Sequence, residues 1–331
     1  MLSSIEGLEL VGIADKAANR ARNLAKRFRI KNTYADYLDL LDEGLDFAVL
    51  CTPSHLHGQM IVDCCDRGIH VLTEKPLAHD TETALAAAKA AKLQRVKLCV
   101  VQNYRYCPAL RKAKKIVDSG RLGKVLAMII VAHTPHPMTW THSRWLYTAG
   151  GVVDDFGPHV YDIMTWFGAS SPQVVFALGD DVTQRMDLAN YAHVSVGFGN
   201  SMHAAADLSW FSGSRVFAIN IYGTGGRLQI DVTSDSLEEV HGLATPVTEV
   251  MSSWHQALHT IREAALGRLL IGGIAYYDQL YDDFVRYLEN IAPAPVPLLD
   301  SLRAVQIMDY SRRSIVQGRA LRPLTLPEEL I

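Results

Sequence analysis

Two consecutive segments near the start of the sequence indicate the fold class: LELVGIAD, residues 8–15, and KAANRARNLAKRF, residues 16–28. The apolar run from Leu8 to Ala14 predicts a buried strand that ends at Asp15, and the spacing that follows predicts a helix. This order is typical of the second strand of a nucleotide-binding fold. MLSSIEG, residues 1–7, contains no strand pattern. We therefore expect such a fold without its first strand and without the glycine-rich turn after it.

Short apolar runs alternate with helical patterns through the first hundred residues. Further strand candidates are Phe47 to Cys51, His70 to Leu72 and Lys97 to Val101. Such alternation predicts a parallel sheet with helices on both faces. In these sheets, ligands bind at the carboxyl ends of the strands. The residues expected near a ligand are those that follow the strands: Asp15, residues 52–57, residues 73–76 and residues 102–106.

Near residue 122 the pattern changes to strand candidates that follow one another with short turns. The candidates are Val125 to Ala132, Gln173 to Leu178, Ala192 to Phe198, Ser201 to Trp210, Arg215 to Tyr222 and Arg227 to Asp231. They predict an open, mostly antiparallel sheet, with helices near residues 151–167, 276–290 and 301–317. GTGGRL, residues 223–228, has no helix after it and predicts a hairpin turn rather than a phosphate-binding loop.

The predicted fold class is therefore α/β, with two domains. Residues 1–121 would form a Rossmann-like dinucleotide-binding domain that lacks its first strand. Residues 122–331 would form an α+β domain for substrate binding and oligomerisation. If one face of its open sheet is apolar, a second subunit would bury that face, so we expect a homodimer or homotetramer.

Composition and charge exclude several classes of partner. The 331 residues carry a formal net charge of −3, whereas nucleic acid and anionic membranes call for a basic face. The longest apolar runs, such as VLAMIIVA at 125–132, fall short of the roughly 20 residues that a membrane span requires. The five cysteines show no ligand spacing, which indicates reduced thiols in a cytoplasmic protein.

Asp15 and Lys75 are polar residues at predicted strand ends. The Asp15 carboxylate could accept hydrogen bonds from both ribose hydroxyls of an adenosine and repel a 2′-phosphate. Alternatively, it could cap the following helix. The residues alone leave these two alternatives about even. Lys75 precedes Pro76, which favours an extended backbone and lets the ammonium hold a substrate oxygen. For the bare tripeptide EKP, a surface lysine in a polar turn is the better interpretation.

AGGVVDDFGPHVYDIMTWFG, residues 149–168, is the second segment that could carry chemistry. On a helix, Asp155, His159 and Asp162 project from one face because they are spaced by four and three residues. Pro158 removes a backbone donor and predicts a kink. Two acids and an imidazole on a kinked helix cost stability, which favours a functional interpretation. For His159 alone, a satisfied core histidine remains an alternative.

Further histidines lie in HTPHPMTWTHSRW, residues 133–145. His133, His136 and His142 could gather a metal with His159, but this spacing is weak evidence and we predict no metal site. A cleft-lining loop that contacts substrate through Trp140, His142 or Arg144 is the favoured interpretation.

Six segments resemble the glucose-fructose oxidoreductase, inositol dehydrogenase and rhizopine-catabolism family, written Gfo/Idh/MocA. They are CTPSHLH at 51–57, TEKPLA at 73–78, VQNYRYCPALRKAKKIV at 101–117, GGVVDDFGPHVYD at 150–162, IYGTGGRLQI at 221–230 and SLRAVQIMDYSRRSIVQGR at 301–319. The resemblance spans essentially the whole chain. The family begins with a strand and a glycine-rich phosphate turn that this sequence does not match, so we expect the chain as given to bind dinucleotide weakly.

The resemblance implies roles for the residues at matching positions. The catalytic residues would be Lys75, His159 and Asp155. The cofactor site would comprise Asp15, Thr52, Pro53, His57, Glu74 and Lys75. The substrate site would comprise Asn103, Arg105, Arg144, Asp155 and Asp162.

These roles predict hydride transfer between the nicotinamide of NAD or NADP and a secondary alcohol or ketone of a sugar, cyclitol or cyclic diol. Asp15 favours NAD, although the neighbouring Lys16 could tolerate a 2′-phosphate. Two alternatives stay open. One is a non-catalytic ligand-binding relative that has lost cofactor affinity. The other is a redox-neutral lyase or hydrolase that retains bound NAD.

Overall fold

The computed structural model describes residue 5 and residues 7–135, 151–184, 188–240 and 276–327. These residues form two compact units. The first contains the described residues up to Val101 together with Tyr277–Leu298, and the second contains the described parts of Gln102–Tyr276 and Leu299–Glu328. The division differs from the boundary predicted after residue 121, because the helix Pro108–Asp118 packs on strands of the second unit.

The first unit alternates strands and helices, as the sequence predicts. Its elements up to Val101 are β1 (Gly12–Ala14), α1 (Ala18–Phe28), β2 (Asn32–Tyr34), α2 (Tyr37–Leu41), β3 (Phe47–Leu50), α3 (Ser54–Asp66), β4 (His70–Thr73), α4 (Thr81–Leu93) and β5 (Leu98–Val100). The Asp80 side chain accepts a hydrogen bond from the Thr83 amide at 2.7 Å, so α4 begins at the predicted N-cap.

The strands of this unit fall into two parallel ladders, β1–β2 and β3–β4–β5. Within the described part of the chain, β1 pairs with β2 alone, and β3 pairs with β4 alone. The β1 side chains are all half-buried, whereas those of β5 are all buried. β1 is shorter than the predicted run from Leu8 to Ala14, because only its last three residues have partners on β2.

The second unit is built on a large sheet. The remaining elements in chain order are α5 (Pro108–Asp118), β6 (Val125–Pro135), α6 (Val152–Asp155), α7 (Gly157–Gly168), β7 (Pro172–Asp180), β8 (Tyr191–Phe198), β9 (His203–Ser209), β10 (Phe211–Gly223), β11 (Gly226–Asp231), β12 (Ser236–Val240), α8 (Tyr277–Leu288) and α9 (Leu298–Gln317). Of these, α8 belongs to the first unit. A 3₁₀ turn, Asn103–Tyr106, precedes α5.

Among the described residues, this sheet has seven strands in the order β12-β11-β10-β6-β9-β8-β7. Within these seven strands, the β6–β9 pair is parallel and the other pairs are antiparallel. The predicted fold class, a Rossmann-like parallel sheet followed by an open and mostly antiparallel sheet, is confirmed. The predicted hairpin turn also forms, since Gly223 on β10 pairs with Gly226 on β11.

The two faces of the large sheet differ. On β6, Met128 and Ile130 are fully buried, whereas Ile129 between them is 42% exposed. The helix α7 packs on β6 and β9. The opposite face, which we call the open face, carries Ile129, Leu178, Val216 and Tyr222, all exposed. None of the described helices combines the length and apolar character needed to cross a membrane.

Candidate active site

Asp15 follows β1 in the first unit and is held by two contacts. One carboxylate oxygen accepts a hydrogen bond from the Ala17 amide at 2.8 Å, which forms a turn before α1 rather than the predicted cap, because the N-cap residue of α1 is Ala17. The other oxygen lies 3.3 Å from the guanidinium of Arg20, an exposed residue on α1. The carboxylate thus sits at the carboxyl end of a strand with an exposed cation next to it. Binding of a ribose by Asp15 stays a prediction.

His57 has a different environment from the one that the resemblance implies. The side chain is fully buried on α3, and its two ring nitrogens each lie 2.8 Å from a backbone oxygen, of Thr52 and of Pro76. Burial lowers the pKa of this imidazole, and the two carbonyl contacts oppose that effect. Neither ring nitrogen is available to a cofactor while these contacts stand. Thr52 and Pro53 are half-buried after β3.

Glu74 and Lys75 form the turn after β4, and both are half-buried. The Glu74 amide donates to the Leu50 carbonyl at 2.8 Å, and the Lys75 amide lies 3.3 Å from a Glu74 carboxylate oxygen. Burial raises the pKa of Glu74, whereas the Lys75 charge and the Tyr277 hydroxyl favour its ionised form. The Lys75–Pro76 peptide bond is cis. Tyr277, at the start of α8, was not among the predicted site residues.

In the second unit, the predicted kinked helix is two helices. α6 ends at Asp155 and α7 begins at Gly157, so the break lies at Phe156. Pro158 occupies the first turn of α7, where its missing N–H costs nothing. Gly151 precedes α6 with φ of +71°, and a Cβ at this position would collide with the Ala189 carbonyl oxygen. The backbone conformation before α6 therefore requires glycine at position 151.

The break gives Asp155 and His159 separate surroundings. Asp155 is buried at the end of α6, whereas His159 is half-buried in the first turn of α7. The His159 ring meets the Tyr104 ring edge-on, with 4.8 Å between centroids, and Phe156 lies 5.9 Å away. Tyr104 belongs to the predicted segment 102–106 but was not itself predicted as a site residue.

Arg105 and Asp162 were both predicted to bind substrate, but their surroundings favour a structural role. The guanidinium donates to the two Asp162 carboxylate oxygens at 2.8 and 2.7 Å, and to Asp300 at 3.0 Å. The Arg105 and Asp162 side chains are only 4% and 2% exposed. Burial by itself lowers the pKa of Arg105, but the two carboxylates outweigh burial and raise it. The pair therefore belongs to the core of the second unit.

The other predicted residues are placed as follows. Asn103 is buried in the 3₁₀ turn. Arg144 lies outside the described residues, as do His136, Trp140 and His142. His133 is half-buried near the end of β6. In the part of the chain that the structure describes, no group of three or more His, Cys, Asp or Glu side chains could hold a metal ion.

Comparison with known proteins defines the class. The family model described as an oxidoreductase family with an NAD-binding Rossmann fold matches residues 1–102. The model of the GFO/IDH/MocA C-terminal domain matches residues 110–229. The predicted family is confirmed: the chain belongs to the Gfo/Idh/MocA oxidoreductases. Its first domain is the NAD-binding domain of that family, which confirms the predicted nicotinamide cofactor but leaves the choice between NAD and NADP as a prediction.

Individual relatives are distant. The chain is 27% identical to the uncharacterized oxidoreductase YrbE of Bacillus subtilis over 72% of this chain and 71% of that protein. It is 28% identical to levoglucosan dehydrogenase of Pseudarthrobacter phenanthrenivorans over 46% of this chain and 40% of that protein. A solved structure, the WlbA dehydrogenase of Bordetella pertussis with NADH and UDP-GlcNAcA, has a TM-score of 0.79 at 20% identity and covers 96% of this chain and 91% of that chain. This last likeness shows the fold.

Proposed function

We propose that this chain is a dehydrogenase that uses NAD or NADP and acts on a secondary alcohol of a sugar, cyclitol or related cyclic diol. The observation that carries the proposal is the helix break at Phe156, which leaves His159 half-buried while Asp155 stays close to it in sequence. Two relatives support the substrate class by name, levoglucosan dehydrogenase and scyllo-inositol 2-dehydrogenase.

The chemistry of the first unit fits the adenosine end of a dinucleotide. The half-buried Asp15 carboxylate follows a parallel strand, where such an acid can accept the ribose hydroxyls. Thr52 lies after β3 and Glu74 after β4. When bound, the nicotinamide accepts or supplies the hydride. In this proposal Asp15, Thr52, Pro53, Glu74 and Lys75 hold the cofactor.

Three residues of the chain then act on the substrate. His159 accepts the hydroxyl proton during oxidation and returns it during reduction. Lys75 stabilises the negative charge that develops on the substrate oxygen. Asp155 accepts a hydrogen bond from another hydroxyl of the substrate, and so holds the reacting hydroxyl within reach of the imidazole. An imidazole can both take up and release a proton, so the histidine side chain is suited to both directions of the reaction.

Titration of NADH fluorescence against the protein tests the proposal most directly. Saturable quenching, followed by oxidation of inositols or anhydrosugars at the expense of NAD, would support it. If the protein binds such a polyol but does not quench NADH fluorescence, the result would instead support the alternative of a non-catalytic ligand-binding relative.

Asp15 should set the choice of cofactor. A carboxylate repels a 2′-phosphate, so we expect wild-type protein to favour NAD. Asp15→Ser should shift the preference in kcat/KM toward NADP, because Arg20 could then form an ion pair with the 2′-phosphate. Asp36→Ser is the matched control, because the Asp36 side chain also accepts an amide hydrogen bond two residues on, at 3.0 Å, but caps α2. A several-fold preference of wild-type protein for NADP would contradict the role of Asp15.

A second copy of the chain should cover the open face. Its centre holds a shallow pocket of about 240 Å³ lined by apolar side chains that include Ile129, Val174 and Phe176. Exposed apolar surface of this kind marks an interface. We expect sedimentation to report a dimer or tetramer, and Ile129→Glu to dissociate it. Leu93→Glu is the control, because Leu93 is 79% exposed on α4, which belongs to the first unit. A monomeric wild-type protein would contradict the interface.

A further inference from the structure

The turn that carries Lys75 contacts side chains from two helices far away in sequence. On one side, His57 of α3 lies 2.8 Å from the Pro76 carbonyl oxygen. On the other side, the Tyr277 hydroxyl of α8 donates to the Glu74 carboxylate. Lys75 lies between these two contact points in the chain. All of these residues belong to the first unit.

The His57 contact joins two strand ends. Its second ring nitrogen lies 2.8 Å from the Thr52 carbonyl oxygen, just after β3, while the first faces the turn after β4. A neutral imidazole donates one hydrogen bond and a protonated one donates two. In either form, the fully buried ring fixes the spacing between the segments that follow these strands, because close-packed interiors leave little room for adjustment.

The Tyr277 contact comes from an anchored helix. The Lys97 ammonium donates to the carbonyls of Tyr287 and Leu288 at 2.6 and 2.8 Å, and so binds the carboxyl end of α8 to the end of the parallel sheet. Phe284 on the same helix packs edge-on against Phe47 of β3, with 5.6 Å between ring centroids. Tyr277, at the other end of α8, is thereby held beside Glu74.

Both contacts act on the residues that flank Lys75 in the chain, Glu74 and Pro76. Glu74 is half-buried, and a carboxylate in such a place needs hydrogen-bond donors to remain ionised. The Tyr277 hydroxyl is one such donor, and the Lys75 amide is another at 3.3 Å. An ionised Glu74 gives the neighbouring ammonium a local counter-charge. The Pro76 contact restricts the backbone on the other side of Lys75.

We propose that His57 and Tyr277 are positioning residues that hold the Lys75 ammonium for its work on the substrate oxygen. This inference rests on the proposed function for the role of Lys75. It replaces direct cofactor contact as the role of His57 and adds Tyr277 to the site. Neither residue needs to touch substrate, because each acts through the turn.

The first test measures the turn itself and is independent of activity. We expect Tyr277→Phe and His57→Phe each to speed amide hydrogen exchange about tenfold in peptides that span Thr73 to Ala78. Tyr287→Phe is the matched control, since this tyrosine lies on the same helix with its ring 4.9 Å from the Lys97 ammonium. Unchanged exchange in both variants would overturn the proposal and would leave the proposed function standing.

The second test measures catalysis. Tyr277→Phe should lower kcat about five- to tenfold, with little change in the KM for substrate. This loss is smaller than that expected for a direct hydrogen bond to a charged group, because Tyr277 acts on Lys75 only through the turn. Loss of the hydroxyl raises the pKa of Glu74, so the acidic limb of the kcat/KM profile should move to higher pH. If kcat and the acidic limb are both unchanged in Tyr277→Phe, the residue has no positioning role.

His57→Phe carries a risk of misfolding, because it leaves two buried carbonyls without a donor. His57→Gln provides the second variant, since its amide NH₂ can donate to both oxygens. We expect His57→Gln to recover most of the kcat that His57→Phe loses. Equal kcat in the two variants, with both folded, would contradict the hydrogen-bonding role. If Lys75→Ala leaves kcat unchanged, the proposed function fails while the exchange result still reports on the turn.

Discussion

Replacement of His159 by Asn should lower kcat by about 10²- to 10⁴-fold, the usual contribution of a positioned general acid or base. The Asn side chain is polar and close in size to that of histidine, but it cannot take up a proton near neutral pH. The edge-on contact with Tyr104, at 4.8 Å between centroids, suits an imidazole and helps to hold the ring in place. Steady-state rates with NAD and an active polyol check the prediction.

The controls separate catalysis from folding. His203→Asn replaces an exposed histidine on β9 and should leave kcat within about twofold. Lys75→Ala should give a loss similar to that of His159→Asn, while Lys92→Ala on the exposed side of α4 should not. Thermal unfolding of each variant should remain cooperative. A loss below about tenfold for His159→Asn would overturn the assignment of this residue as the proton carrier.

Features that rest on neighbouring residues could be predicted from the sequence. The Asp80 cap of α4 depends on residues 80–83, and the turn at Gly223–Gly226 depends on glycines between two apolar runs. The break before α7 follows from Pro158, although a single kinked helix was expected. These features are local because capping, turn formation and the loss of a backbone donor are decided within a few residues.

Features that rest on distant residues were missed. Tyr277 reaches Glu74 across about two hundred positions of the chain, and no spacing pattern encodes such a contact. β2 and β12 were also missed, since Asn32–Tyr34 and Ser236–Val240 contain polar residues and no apolar run. The sequence also could not reveal the pairing of Arg105 with Asp162, because a charged residue has the same appearance in sequence whether it binds a ligand or a partner in the core.

The Arg105–Asp162 pair should control the stability of the second unit. Removal of one partner of a buried ion pair costs about 3–5 kcal/mol, because the other charge stays buried without compensation. We therefore expect Asp162→Asn and Arg105→Met each to lower the free energy of unfolding by this amount. In Asp162→Asn, Arg105 keeps its contact with Asp300 at 3.0 Å, and the Trp166 ring centroid lies 5.2 Å from its guanidinium carbon. Asp162→Asn should therefore be the milder change.

The double variant Arg105→Met, Asp162→Leu distinguishes a core pair from a substrate site. Apolar replacement of both partners of a buried pair is often neutral or stabilising, so the double variant should regain most of the stability lost by Arg105→Met. Asp300 gives up its Arg105 contact in this variant but is not fully buried, with 15% of its side chain exposed, and it keeps a contact with Arg303 at 3.6 Å. Urea unfolding of wild-type protein, Arg105→Met, Asp162→Leu and the double variant measures the coupling energy. If the single variants unfold like wild-type protein but have a greatly raised KM for substrate, the original prediction of a substrate-binding role is correct and the structural role is wrong.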